Sequence, residues 1–247
     1  MHWVAIGAGS LVAYVLAGLA GVLLGADTAL VSPMYPAAGV ALACTIVYGW
    51  RVLPSVMLGA YLVGAWAAAR QGLTEHALIL PLATAVGAAV QAGFGAYLVQ
   101  RFLPTPLKLM APREIGSFFV LGALVACVVN ASVGTAGFYA VGGLSVTDLL
   151  FTWVTWWIGD CLGVFIAAPI VLTLIGAPRA DWAPRRTTVA VPLLLVTVLL
   201  AAAIHQVALW DAQRSKVATE REANNVLTSL SFRLQQPLFA LQALDAA

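Results

Sequence analysis

The stretch WVTWWIGDCLG, Trp153–Gly163, sets one ionisable group, Asp160, behind three tryptophans in an otherwise apolar run. Trp153 and Trp156 lie three apart and Asp160 follows Trp156 by four, so these three share a helix face, while Trp157 looks onto the adjacent one. Aromatic walls with one convergent polar group suit a small ligand, so the chemistry expected of this set is binding. Gln91 and Asn130 lie near the middles of two other apolar runs and reach the same depth if all three runs cross a membrane. The same residues also have a structural use. Buried polar side chains tie membrane helices together at about 1 kcal/mol per contact, and tryptophan is common near a bilayer interface. Both readings stand on the sequence.

The elements that must position these side chains are membrane helices. A chain of 247 residues that is 62% hydrophobic and only 9% charged carries more apolar surface than one soluble core can bury. Crossing the bilayer takes about 20 mostly apolar residues, and seven runs qualify, at about 3–24, 34–50, 53–69, 77–100, 114–140, 148–175 and 188–210. The expected fold is therefore an all-α polytopic bundle of about seven spans, with an eighth if the stretch 114–147 or the run 148–175 hides a break. A carboxylate at a helix centre costs roughly 2.5–3.5 kcal/mol on insertion scales, so Asp160 is expected to face the bundle interior, near Gln91 or Asn130.

Basic residues stay on the cytoplasmic side of short loops. Arg51, Arg101, Lys108, Arg113, Arg179, Arg185 and Arg186 all fall on one side, and the opposite turns hold Arg70 alone, which predicts a cytoplasmic N-terminus. Trp3, Trp50, Trp66, Trp182 and Trp210 mark span ends, as an interfacial aromatic belt would. The first run has no Lys or Arg before it and exceeds the roughly 7–15 residues of a signal-peptide core, so it reads as an uncleaved anchor. Cys44, Cys127 and Cys161 lie inside apolar runs and read as small buried side chains.

The second run begins with Pro33 and Pro36 and leaves a short apolar stretch before Arg51. Either the chain enters through a broken, non-helical turn, tolerated only against protein or a cavity, or Pro36 simply occupies a first helical turn. After Trp210 the composition turns polar, and Leu227, Leu230, Leu234, Leu238, Leu241 and Leu244 recur three or four apart, the mark of one apolar helix face. This tail, residues 210–247, reads as the outward start of a further domain whose leucine row is a seam between two copies of the chain.

YPAAGVAL (35–42), WRVLPSVMLGAYL (50–62) and TWWIGDCLGVFIAAP (155–169) resemble, in order and spacing, the signatures of MASE1, a bacterial membrane-associated sensor domain. The resemblance covers residues 1–209, and WWxGDxLG is its most specific piece. It implies an integral inner-membrane input domain of histidine kinases, diguanylate cyclases or related signalling enzymes, commonly dimeric, and brings no catalytic residues. EANNVLTSLSFRLQQPLFALQAL is similar to the opening helix of a CHASE domain, an extracytoplasmic ligand-sensing module.

His2, His76 and His205 are scattered, and HExxH and GxSxG are lacking, so no catalysis, cofactor or metal is expected of this chain. Its expected partners are the lipid bilayer, an undefined small-molecule or membrane-derived signal, a second copy of itself and a further membrane protein, but not nucleic acid. A transporter or substrate-binding membrane subunit is the competing reading, since a broken helix, a midplane carboxylate and the glycines at 18, 21 and 25 suit one equally.

Overall fold

The computed structural model describes residues 2–24, 32–70 and 79–203, together with residues 206, 207, 210, 213 and 214. The chain divides into two units, Met1–Ala201 and Ala202–Ala247. In the second, the described residues are helical, and the leucine row of the tail, like His76, His205 and Gly25, lies outside the described residues. Among the described residues there is no strand; the protein is an all-α polytopic bundle.

Among the described residues, six helices are long and apolar enough to cross a membrane. They are α1 (His2–Leu24), α3 (Leu53–Arg70, led in by a tight turn at Trp50–Val52), α4 (Ile79–Phe102), the rod Pro112–Ala140, α7 (Leu149–Ile175) and the final span Arg186–Ala203. The rod consists of α5 (Pro112–Phe119), a wide π turn (Val120–Val125) and α6 (Cys127–Ala140). The predicted second span differs. It is α2 (Pro36–Tyr48), and its 13 residues at 1.5 Å each reach only about 20 Å of the roughly 30 Å hydrocarbon thickness. Run 148–175 is one continuous helix, and the stretch 114–147 contains a single crossing rod, so no eighth span arises from either.

The half-length of α2 follows from its two prolines. A residue before proline is pushed toward extended backbone, and Tyr35, at φ −121° and ψ 84°, obeys this before Pro36 opens the helix. Both readings of this entry hold together: Pro36 stands in the first helical turn, and residues 32–35 before it are non-helical. The helix stops at Gly49, whose φ of +76° reverses the chain toward α3.

From Ala37 to Thr45 every side chain of α2 is buried. Its main neighbour is α7, with α1 and α4 on other sides, while α1, α3, α4, α6 and α7 pack side by side in that order. Most α2 side chains in this stretch are small, which lets backbones approach closely where lipid offers no hydrophobic drive to assemble. In contrast, Leu194, Leu195, Val198 and Leu199 of the final span are exposed, as a lipid-facing helix requires.

While Arg70 closes the far end of α3, several basic residues meet near the end of the bundle where α3 begins. Arg51 lies over the ring of Trp3 at 4.7 Å, which brings the start of α1 to that end, and Gln100 Nε2 donates to the carbonyl of Ile46 at 3.2 Å. Lys108 pairs with Asp181 at 3.2 Å, and Arg185 donates to the Lys108 carbonyl at 2.6 Å. Trp182 departs from the belt expected of it. It is buried, its Nε1 donates to the Leu107 carbonyl at 3.1 Å, and Arg185 covers its ring. It locks two loops together, whereas Trp3, Trp50, Trp66 and Trp210 remain exposed.

Candidate functional site

The site is built where the unwound approach to α2 meets the middle of α7. Gly159 and Gly163, one turn apart, leave a bare strip of helix on which the chain before α2 lies. The Tyr35 N–H donates to the Gly159 carbonyl at 3.0 Å. A Cβ on Gly159 would stand 2.6 Å from the Ser32 carbonyl oxygen, and one on Gly163 would overlap the Tyr35 carbonyl. Ser32 Oγ closes the other side by donating to the carbonyls of Gly21 and Met34, at 2.6 and 2.8 Å. This satisfies part of the extended backbone inside the bundle, the condition for tolerating it at membrane depth.

Asp160 follows Gly159 and turns away from this strip toward α6 and α4. It is 1% exposed, with Asn130 at 4% and Gln91 at 5%. Asn130 Nδ2 donates to Asp160 Oδ2 at 3.1 Å, and Gln91 Oε1 accepts the backbone N–H of Asn130 at 3.3 Å. The π turn helps aim Asn130. The Ala126 N–H reaches back five residues to Leu121, at 3.2 Å, and one inserted residue rotates all that follows by about 100°. The depth argument from sequence thus placed Asp160, Asn130 and Gln91 in one cluster, as the structure has them.

Only part of the cluster's hydrogen-bonding capacity is used. Asp160 Oδ1 and Asn130 Oδ1 are both buried without a partner, and an unsatisfied buried acceptor costs about 1–3 kcal/mol. Beside them opens a cavity of about 130 Å³, walled by Tyr14, Tyr35, Trp156, Phe138 and small residues of α3 and α4. Val22, Ala67, Ala68 and Leu80 carry it toward the end opposite the basic cluster. Tyr14 meets Tyr35 edge to face at 6.5 Å, and both rings lie within Coulombic reach of Asp160.

The tryptophans divide. Trp156 lines the cavity, packed edge to face on Phe138 at 5.8 Å and over Gly134, where any Cβ would strike its ring. Trp153 and Trp157 stack on each other at 6.1 Å and are not among the cavity's lining residues. Their indole N–H groups donate to Ser132 Oγ, at 3.1 Å, and to the Leu124 carbonyl in the π turn, at 2.9 Å. They therefore fasten α7 to the rod. Sequence reasoning assigned them to the pocket and missed Tyr14, Tyr35 and Ser32. A lone tyrosine in the first run and the SPMYP stretch were the available signals.

Asp160 thus has one carboxylate oxygen held by Asn130 and one without a partner, next to an aromatic-walled cavity. A family model described as MASE1 matches residues 7–214 of this chain. The chain belongs to the MASE1 family. This MASE1 domain is accordingly a membrane-associated sensory region of a signalling protein, and the WWIGDCLG segment contributes both its docking strip and its carboxylate. No curated protein and no solved structure matches the chain.

Proposed function

We propose that this MASE1 domain receives a small-molecule or membrane-derived signal in the Asp160 cavity, as the input region of a bacterial receptor of histidine kinase or diguanylate cyclase type. The observation that carries this reading is the pair of unpartnered buried acceptors, Asp160 Oδ1 and Asn130 Oδ1, beside a cavity of about 130 Å³. The extended approach to α2 gives the signal a route outward, because Ser32 and Tyr35 line the cavity and also hydrogen-bond to α1 and α7 respectively. An occupant that presses on Tyr35 shifts three helices together.

In this reading the domain sits in the inner membrane with its N-terminus and basic end cytoplasmic. The segment from residue 210 onward is the start of a CHASE-like periplasmic module, and the receptor works as a homodimer. The test is signalling by the intact receptor carrying Asp160→Asn. Altered output at unchanged membrane level supports the reading, and unaltered output leaves the cluster as packing.

A half-helix ending at an internal cavity also suits a transporter. Uptake or efflux of labelled solute in vesicles containing the protein, lost in Asp160→Asn, would favour that second reading.

A further inference from the structure

The geometry points to a small organic ammonium group as the occupant of the Asp160 cavity. This rests on the cavity being the signal site and adds the chemistry of what it takes.

The open groups fix the polarity of the ligand. Asn130 must turn its amide nitrogen to Asp160 Oδ2, since a carboxylate only accepts, so its Oδ1 faces the other way, against Gly87. The unpartnered carboxylate oxygen, Asp160 Oδ1, calls for a hydrogen-bond donor, and a cationic donor makes about twice the bond of a neutral one. An anion would meet that carboxylate with no Lys or Arg on the wall to receive it.

The walls decide among cations. Calcium and magnesium take six or more oxygen ligands, and among the described residues no three His, Cys, Asp or Glu side chains gather to hold a metal ion. The wall instead carries the aromatic residues Tyr14, Tyr35 and Trp156, side chains of the kind that attract an alkylammonium. A volume of about 130 Å³ equals roughly four water molecules at about 30 Å³ each, which fits an ammonium head with a few carbons.

The ammonium can come from a free amine or from an aminophospholipid headgroup, and one experiment separates the two. The protein in phosphatidylcholine nanodiscs is titrated with ethylammonium, with propanol as a neutral analogue, and with sodium, reading the thermal unfolding midpoint. Ethylammonium should raise the midpoint saturably while the other two do not. Asp160→Asn should weaken the apparent affinity at least about tenfold. Ala67→Leu, which narrows the cavity and leaves the polar cluster alone, should abolish the response with the unfolding transition retained. Replacing phosphatidylcholine by phosphatidylethanolamine should raise the midpoint unaided and suppress the ethylammonium response if the source is lipid, and leave both unchanged if it is a free amine. Equal shifts with propanol or sodium, or none with ethylammonium, overturn the ammonium assignment. Signalling by Ala67→Leu tests the other reading separately. Altered output without any ethylammonium response keeps the signal site with a different ligand, whereas unaltered output with an intact wild-type response removes the signal role and keeps the ammonium site.

Discussion

The Tyr35 amide donates to the Gly159 carbonyl at 3.0 Å, so the extended approach to α2 is pinned to α7 one residue before the carboxylate Asp160. That bond holds the approach to the shortened second run in place, and Tyr35 is one of the residues at the cavity wall.

Gly163→Ala should be among the most damaging small substitutions in the bundle. Its Cβ would overlap the Tyr35 carbonyl, a backbone atom with no rotamer to escape into. A loss of about 3 kcal/mol is expected, at the top of the usual overpacking range. Gly9→Ala meets nothing within 4 Å and should be neutral or stabilise by up to about 1 kcal/mol. Tryptophan-fluorescence unfolding in detergent measures both, and equal stabilities would remove the docking strip from the account.

Asp160→Asn should keep the bundle folded, since an amide of the same shape can still accept from Asn130 Nδ2. Asp160→Leu removes that acceptor, strands the Asn130 amide and should cost about 1–3 kcal/mol more. Both should alter receptor output. A leucine variant as stable as the asparagine variant would show that the Asn130 contact carries no net energy.

Trp157→Phe and Trp156→Ala should part company. The first loses one hydrogen bond, to the Leu124 carbonyl, and should cost about 1 kcal/mol while leaving the ethylammonium response intact. The second opens the cavity wall and should weaken that response severalfold. Loss of response in Trp157→Phe alone would place the site on the wrong face of α7.

Single cysteines in a cysteine-free background should be labelled by an impermeant thiol reagent from outside at Gly72, Leu144 and Ser215, and from inside only at Lys108 and Arg113. Position 182, attractive on sequence, is a poor reporter because Trp182 is 3% exposed. Outside labelling at 108 inverts the proposed orientation.

Oxidative crosslinking in native membranes should be strong for cysteines at Leu227, Leu230 and Leu234 and weak at Thr228 and Phe232, if the leucine row pairs with its copy. Pro237 should bend the helix and weaken pairing beyond it. Absence of crosslinking at all five positions would mean the row packs within its own domain.

The sequence by itself determined depth. Hydropathy is a running sum along the chain, so it placed the long apolar runs, separated the polar tail, collected the basic residues into loops, and set Gln91, Asn130 and Asp160 near one level. Azimuth was beyond it. In a bilayer the lipid-facing side of a helix is as apolar as its packed side, so no polar face tells which way Trp153, Trp156 and Trp157 point. Tertiary packing decided that: the π turn left the Leu124 carbonyl to Trp157, Gly134 made room for Trp156, and Ser132 took Trp153. It also decided the partners of SPMYP. Two prolines left a broken entry and an ordinary first helical turn both open, and only the bare strip at Gly159 and Gly163 brings that entry beside Asp160, where Tyr35 and Tyr14 line the cavity. Such a meeting depends on shape across four helices distant in sequence, which no local pattern encodes.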